Sequence, residues 1–171
     1  FTLYQLGALA AFAAAAGTRL AHVKPHGALY NAVARDEGLA AAVARAVATF
    51  DRQLIVVTLP HSALAHAAHA LGLRVAHEGF ADRAYGADGS LAPRGLPGAV
   101  IHDPEQAIAR AVRMVTRGVV ETLDGREIPL RLDTLCIHGD TPGAAQIAAG
   151  LRAALQQAGV AIAPLAKVLA P

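Results

Sequence analysis

The sequence predicts an α/β fold in which a parallel sheet is covered by helices. Two observations carry that prediction. Helix-period segments and strand-type segments alternate along the chain with short connections. The strand segments also include unbroken β-branched runs, QLIVVT over residues 53–58 being the clearest, as buried parallel strands do. On this pattern alone the sheet is either open or barrel-shaped.

The elements follow in order. Residues 1–16 are Ala-rich and helix-forming, with Leu6, Leu9 and Phe12 on one side and Gly17 as the stop. Residues 19–24 read as a short strand. Over 36–50, Leu39, Val43, Val47 and Phe50 recur at helical spacing, and 53–58 is the buried strand. Residues 62–71 read as a helix closed by Gly72, and 73–77 as another strand. A Gly/Pro-rich stretch fills 79–102 (GFADRAYGADGSLAPRGLPGAVIH). It exceeds an ordinary connection and is expected to be a functional lid or binding loop. Asp103, Pro104 and Gln106 then spell a helix start with a cap, a first-turn proline and a capping box. Ile108, Val112 and Val115 form that helix's apolar face. Asp124-Gly125 between β-type runs predicts a hairpin over 119–130. Residues 134–138 (TLCIH) read as a buried strand. Thr141-Pro142 opens a helix carrying Ile147, Leu151 and Leu155, closed by Gly159, and 160–165 reads as a last strand. With no repeat and no linker, residues 1–171 are expected to be a single domain.

Composition narrows the function classes. The chain has 171 residues, 54% hydrophobic and 16% charged, which supports a core and excludes wholesale disorder. No apolar run approaches the ~20 residues of a membrane span. The single Cys136 excludes a disulfide framework and a multi-Cys metal site, and its place inside an apolar strand suits the core. Net charge is only +2, the basic residues are scattered, and four Phe and three Tyr are not interleaved with them, so nothing points to nucleic acid. A cytoplasmic location is expected.

The informative residues lie at strand ends, where parallel α/β folds build their sites. The first strand ends in Lys24-Pro25-His26-Gly27 and the second in Pro60-His61. The third ends in His77-Glu78-Gly79-Phe80, leading to Asp82, Arg83 and Tyr85. The strand at 134–138 ends in His138-Gly139-Asp140. Lys24 suits a carboxylate or phosphate and His26 acid/base work, against the plainer reading of a solvated turn. Tyr30 and Asn31 bind a ligand or cap the next helix. Glu78, at the end of an apolar strand, is an acid/base candidate unless it pairs with Arg83. Asp82 and Arg83 suit a substrate clamp, and Arg94 could reach in from the loop. His138 is the least easily explained as structural, whereas Asp140 has the alternative of a helix cap. His61 is undecided, and His22, His66, His69 and His102 are read as structural. The chain shows no Gly-Lys-Ser/Thr phosphate loop, no GxGxxG after a strand, no HExxH and no GxSxG elbow.

Three blocks, HVKPHGALYN at 22–31, EGFADRAY at 78–85 followed by G-x-L-x-x-R at 89–94, and CIHGDTPGA at 136–144, closely resemble the LamB/YcsF family, that of the A component of bacterial ATP-dependent 5-oxoprolinase. The blocks match in order and the resemblance spans essentially the whole chain. It implies a distorted seven-stranded (β/α) barrel related to polysaccharide deacetylases. It implies that 5-oxoproline (pyroglutamate) is opened to L-glutamate with ATP hydrolysis, together with partner subunits B and C. ATP is then expected to bind with or through those partners, and a divalent metal is left open. The matching positions are Lys24, His26, Glu78, Asp82, His138 and Asp140 as catalytic candidates, and Tyr30, Asn31, Arg83, Tyr85 and Arg94 as substrate-binding candidates. Lys24 or Arg83 would hold the substrate carboxylate or a phosphorylated intermediate, and Glu78 or His138 would move protons. The family's opening blocks, like DLNxDxGE, CGxHAGDP and GAHPxxPD, are not in this sequence. A (β/α) barrel takes ~250 residues, so 171 is expected to be the C-terminal two-thirds of one, lacking the first strands. Two other readings stand beside this one: a metal-dependent deacetylase or amidohydrolase, and a non-catalytic binding subunit.

Overall fold

The computed structural model describes residues 1–140 and 143–170. The chain divides into two compact units, Phe1–Ala76 and His77–Val168.

In the first unit, α1 (Thr2–Ala15) is followed by β1 (His22–Val23), α2 (Ala28–Val33), α3 (Glu37–Phe50), β2 (Ile55–Thr58) and α4 (Ala63–Ala70). β1 and β2 pair in parallel, with His22 opposite Ile55 and Val23 opposite Val56. Helix starts are set by side chains: Asp36 accepts from the Leu39 amide and Ser62 from the Ala65 amide. One core joins these elements, built from Leu6, Val33, Val43, Val47, Leu54, Val56, Leu64 and Leu73, with Val23 against it. Each fully buried aliphatic side chain here contributes ~1.5–3 kcal/mol. Of the side expected on α1, only Leu6 is buried, and Leu9 and Phe12 are exposed.

β3 (Arg74–Phe80) leads into the second unit, which holds α5 (Pro104–Arg117), β4 (Val119–Glu121), β5 (Glu127–Pro129), β6 (Thr134–Cys136), α6 (Ala144–Gln157) and α7 (Leu165–Val168). β3 and β6 pair in parallel, Glu78 opposite Thr134, Gly79 opposite Leu135, and Phe80 opposite Cys136. Their helix-side face is apolar. Leu135, Ile137, Ile108, Val112 and Val115 pack on a core of Ala81, Ala111, Leu151 and Leu155. A Cβ on Gly79 would strike Leu132 and crowd Met114, which is why this side of β3 carries no side chain at that position. β4 and β5 form the expected hairpin, turned at Gly125 with φ 79°. Arg126 and Thr122, hydrogen-bonded to Asp124 in that turn, hold its carboxyl down at about 2.

Three expectations need correction. Residues 160–163 form no strand. Gly159 adopts φ 77° and the Val160 amide donates to Leu155 O at 2.9 Å, so the closing motif of α6 takes the residue that would have begun the strand. Pro164 then starts the turn of α7, its carbonyl accepting from the Lys167 amide. β6 is half-buried rather than buried. The stretch 79–102 is not loose. Its first residues finish β3, and the rest is pinned by Ala84 N to Ala99 O, Ala92 N to Ala84 O and Ile101 N to Asp82 O, each 2.9–3.0 Å. Its longest exposed run is residues 93–98. The opening Thr141-Pro142 of the α6 helix lies outside the described residues.

The α5 start is the most explicit local device. Pro104 sits in the first turn, and Asp103 accepts from the Glu105 and Gln106 amides at 2.8 and 3.0 Å. Asp103→Ala is expected to cost about 1 kcal/mol in urea denaturation, and Asp103→Asn only a few tenths.

Candidate functional site

Strand alternation decides which side chains face away from the helices. In the second unit, Gly79 and Leu135 occupy the helix face. Glu78 and Phe80 on β3, with Thr134 and Cys136 on β6, therefore share the opposite face. Asp82 and His138 continue those two rows past the strand ends. The structure brings them together: His138 Nδ1 lies 2.8 Å from Asp82 Oδ2 and 3.0 Å from Oδ1. Asp82 is 1% exposed, and the His138 ring stacks on Phe80 with centroids 5.6 Å apart. A carboxylate only accepts, so the shared proton sits on Nδ1 and Nε2 is the nitrogen left for chemistry. Glu78, 4% exposed, lies on the same face.

The segment bearing Asp82 is held from several directions. The Phe80 amide donates to the Tyr85 hydroxyl at 2.9 Å. Arg83 donates to Ala92 O at 2.6 Å and Ala99 O at 3.4 Å, tying the long loop to its own base. Burial lowers the Arg83 guanidinium from its ordinary value, with Arg94 adding to the effect. Arg83 and Tyr85, expected at the ligand, make these contacts with backbone atoms of the same segment and its loop. Arg94 itself is exposed on the loop. Asp140 is exposed, and Gly143 rather than Asp140 occupies the N-cap of α6.

In the first unit, the Lys24 ammonium lies 5.5 Å from the centroid of the buried Tyr30 ring. Gly27 begins α2 with φ 61° and ψ −132°, a conformation open to glycine, and this ends the Lys24-Pro25-His26 turn. His26 and Asn31 are exposed, and Asn31 Nδ2 reaches back to Gly27 O at 3.5 Å. At the end of the neighbouring strand, His61 holds φ 58°, just before Ser62, whose hydroxyl meets Thr58 Oγ1 at 3.0 Å. Position 61 is thus shaped by the turn into α4.

Sequence reasoning missed Arg110. Its guanidinium donates to Arg83 O at 2.9 Å, Phe80 O at 3.3 Å and Glu121 O at 3.1 Å, and lies 5.4 Å from the Tyr85 ring centroid. The available signal was its spacing. Arg110 lies three residues after Ala107 and four before Met114, both buried, so it shares their side of α5.

The starts of α3 and α5 are poorly suited to a phosphate. Their first turns carry acidic residues, Glu37 and Glu105. Among the described residues no group of three His, Cys, Asp or Glu is placed to share a metal ion. No helix of the described residues is long and apolar enough to cross a membrane.

The model of the LamB/YcsF family matches residues 1–170. The chain belongs to the LamB/YcsF family. Among its relatives, the chain is 56% identical over 162 residues to the A component of 5-oxoprolinase from Syntrophobacter fumaroxidans, covering 95% of this chain and 64% of that protein. It is 52% identical over 165 residues to the protein of the same name from Pyrococcus abyssi, covering 96% and 65%. The crystal structure of "Lactam Utilization Protein" from Thermus thermophilus is similar with a TM-score of 0.87 at 52% identity, over 94% of this chain and 64% of that one. The chain therefore spans less than two-thirds of the length of these LamB/YcsF relatives. Their similarity supports an α/β fold with parallel strands and helices.

The Tyr85 phenol carries a pH signature. Burial pushes it well above the ordinary phenol value, and the donated Phe80 amide and the Arg110 charge only partly offset this. A raised folded-state value means that stability is intact below the unfolded value near ~10 and is lost as pH rises above it. In urea titrations the wild type is expected to lose stability above about pH 10. Tyr85→Phe should start from a lower stability at neutral pH and fall less steeply.

Proposed function

We propose that the chain acts as the A component of ATP-dependent 5-oxoprolinase, a cytoplasmic hydrolase that opens 5-oxo-L-proline to L-glutamate with subunits B and C. The observation that carries this reading is the Asp82–His138 pair at the carboxyl ends of adjacent parallel strands. The names of the family's relatives support the substrate class.

Opening the lactam breaks the ring C–N bond. Oxygen from water joins the carbonyl carbon, and a proton must reach the departing nitrogen. His138 Nε2 suits proton transfer because Asp82 fixes Nδ1 as the protonated nitrogen. Glu78, buried on the same face, is the second proton carrier. In the first unit, Lys24, with His26, Tyr30 and Asn31 near it in sequence, is a cation of the kind that binds a carboxylate. Arg94 and Asp140 are the exposed charged residues that complete the proposed set. When bound, ATP supplies the driving force for opening a stable amide. We assign it to binding with or through the partner subunits, since the sequence given carries no Gly-Lys-Ser/Thr phosphate loop. The seven-stranded (β/α) barrel expected for the family belongs to the same proposal.

The test is reconstitution of the full protein with subunits B and C, ATP and 5-oxoproline, followed by glutamate. Glutamate that requires all components is expected, and none from a well-folded complex would overturn the reading. Asp82→Asn should lower kcat by about 10²–10⁴-fold while the circular dichroism spectrum is kept.

A further inference from the structure

We infer that Arg110 is the positioning residue of the Asp82–His138 pair. This rests on the reading of that pair as proton-transfer machinery.

Asp82 lies beyond the last residue of β3, so no ladder of its own strand holds it. Bonds to the residues on either side take the place of that ladder. Arg110 Nη1 alone meets both Phe80 O, two residues before Asp82, and Arg83 O, the residue after it. A planar guanidinium presents its donors in a fixed fork, so those two carbonyls are set at a defined separation with Asp82 between them. Nη2 anchors the same fork to Glu121 O at the end of β4. The face of the cation is occupied by Tyr85, whose hydroxyl accepts the Phe80 amide. The Phe80–Arg83 turn is thereby gripped at both carbonyls and at one amide. A further grip is Ile101 N on Asp82 O at 2.9 Å.

Arg110 is thus engaged by three carbonyls and an aromatic ring, which distinguishes it from a cation kept for substrate. Burial lowers its guanidinium from the ordinary value, while Tyr85, Glu121 and Asp82 hold it up, so it stays charged beside the carboxylate. A displacement of ~1 Å at a site of this kind costs on the order of 10²-fold in rate. A lysine keeps the charge but has one nitrogen, so it cannot hold the Phe80 and Arg83 carbonyls and Glu121 O together in a fixed plane against Tyr85.

The experiment reads the pair directly, apart from turnover. The His138 Nδ1 proton is followed by nitrogen-edited NMR in the wild-type protein and in Arg110→Met, Arg110→Lys and Arg113→Met. Arg113 is one turn from Arg110 and pairs with Glu121 and Glu127, so Arg113→Met controls for a lost surface ion pair on the same helix. Expected is a protected Nδ1 proton in the wild type and in Arg113→Met, exchanging faster by about tenfold or more in Arg110→Met. Arg110→Lys should fold and show the same loss, with kcat reduced more than KM is raised. If Arg110→Met fails to fold, Arg110→Lys carries the test alone. An Nδ1 proton unchanged in Arg110→Lys would overturn the inference. Loss of protection with full glutamate formation would leave the positioning intact and instead contradict the catalytic role of the pair.

Discussion

A nearly buried carboxylate at the end of a strand is the constraint on which the second unit depends. Asp82 is 1% exposed, and burying such a charge is costly unless it is paired and hydrogen-bonded. His138 Nδ1 at 2.8 Å supplies a partner. That contact in turn requires β3 and β6 to be parallel neighbours, so that both chains deliver their next residues at the same end. It also requires the helix face of β3 to be occupied by nothing larger than Gly79, so that α5 can close on it. The loop after Asp82 then does the opposite of a mobile connection. Its Arg83 side chain is spent on its own carbonyls at 92 and 99.

Both strand pairs obey one rule. Residues facing the helices are mostly apolar, Thr58 and His77 being the polar members of those rows, and the candidate site residues fall on the other face or just past the strand end. In the first unit Val23, Leu54 and Val56 go to the core, while His22 and Lys24 alternate with Val23. In the second, Leu135 and Ile137 go to the core, while Glu78, Asp82 and His138 do not. Chemistry at these strand ends is therefore a consequence of register, and a slip of one residue would exchange the two faces.

Much of this was legible in the sequence because the signals were local. Asp103-Pro104 announces α5, Asp124-Gly125 turns the hairpin, and the apolar runs locate β2 and β6. The strand ends named Asp82 and His138 as candidates, though not as partners, since their contact spans 56 residues of sequence. Other features were hidden for definite reasons. α2 has only six residues, too few to show a period. Val160 looks like a strand residue until the cap of α6 takes its amide. Arg110 resembles any solvated helix arginine until its neighbours on the helix, Ala107, Ala111 and Met114, are seen to be buried. Tyr85 and Arg83 carry the composition of a binding site, yet their partners are backbone atoms only folding brings within reach.

The central claim is that Asp82 and His138 act as one unit. A double-mutant cycle on glutamate formation tests it most directly, using Asp82→Asn, His138→Gln and the double variant in the reconstituted complex. Residues that act as a unit are strongly non-additive. The double variant is then expected to be no slower than the slower single one. Losses that multiply, with each substitution lowering kcat by its own full factor in the presence of the other, would contradict the claim.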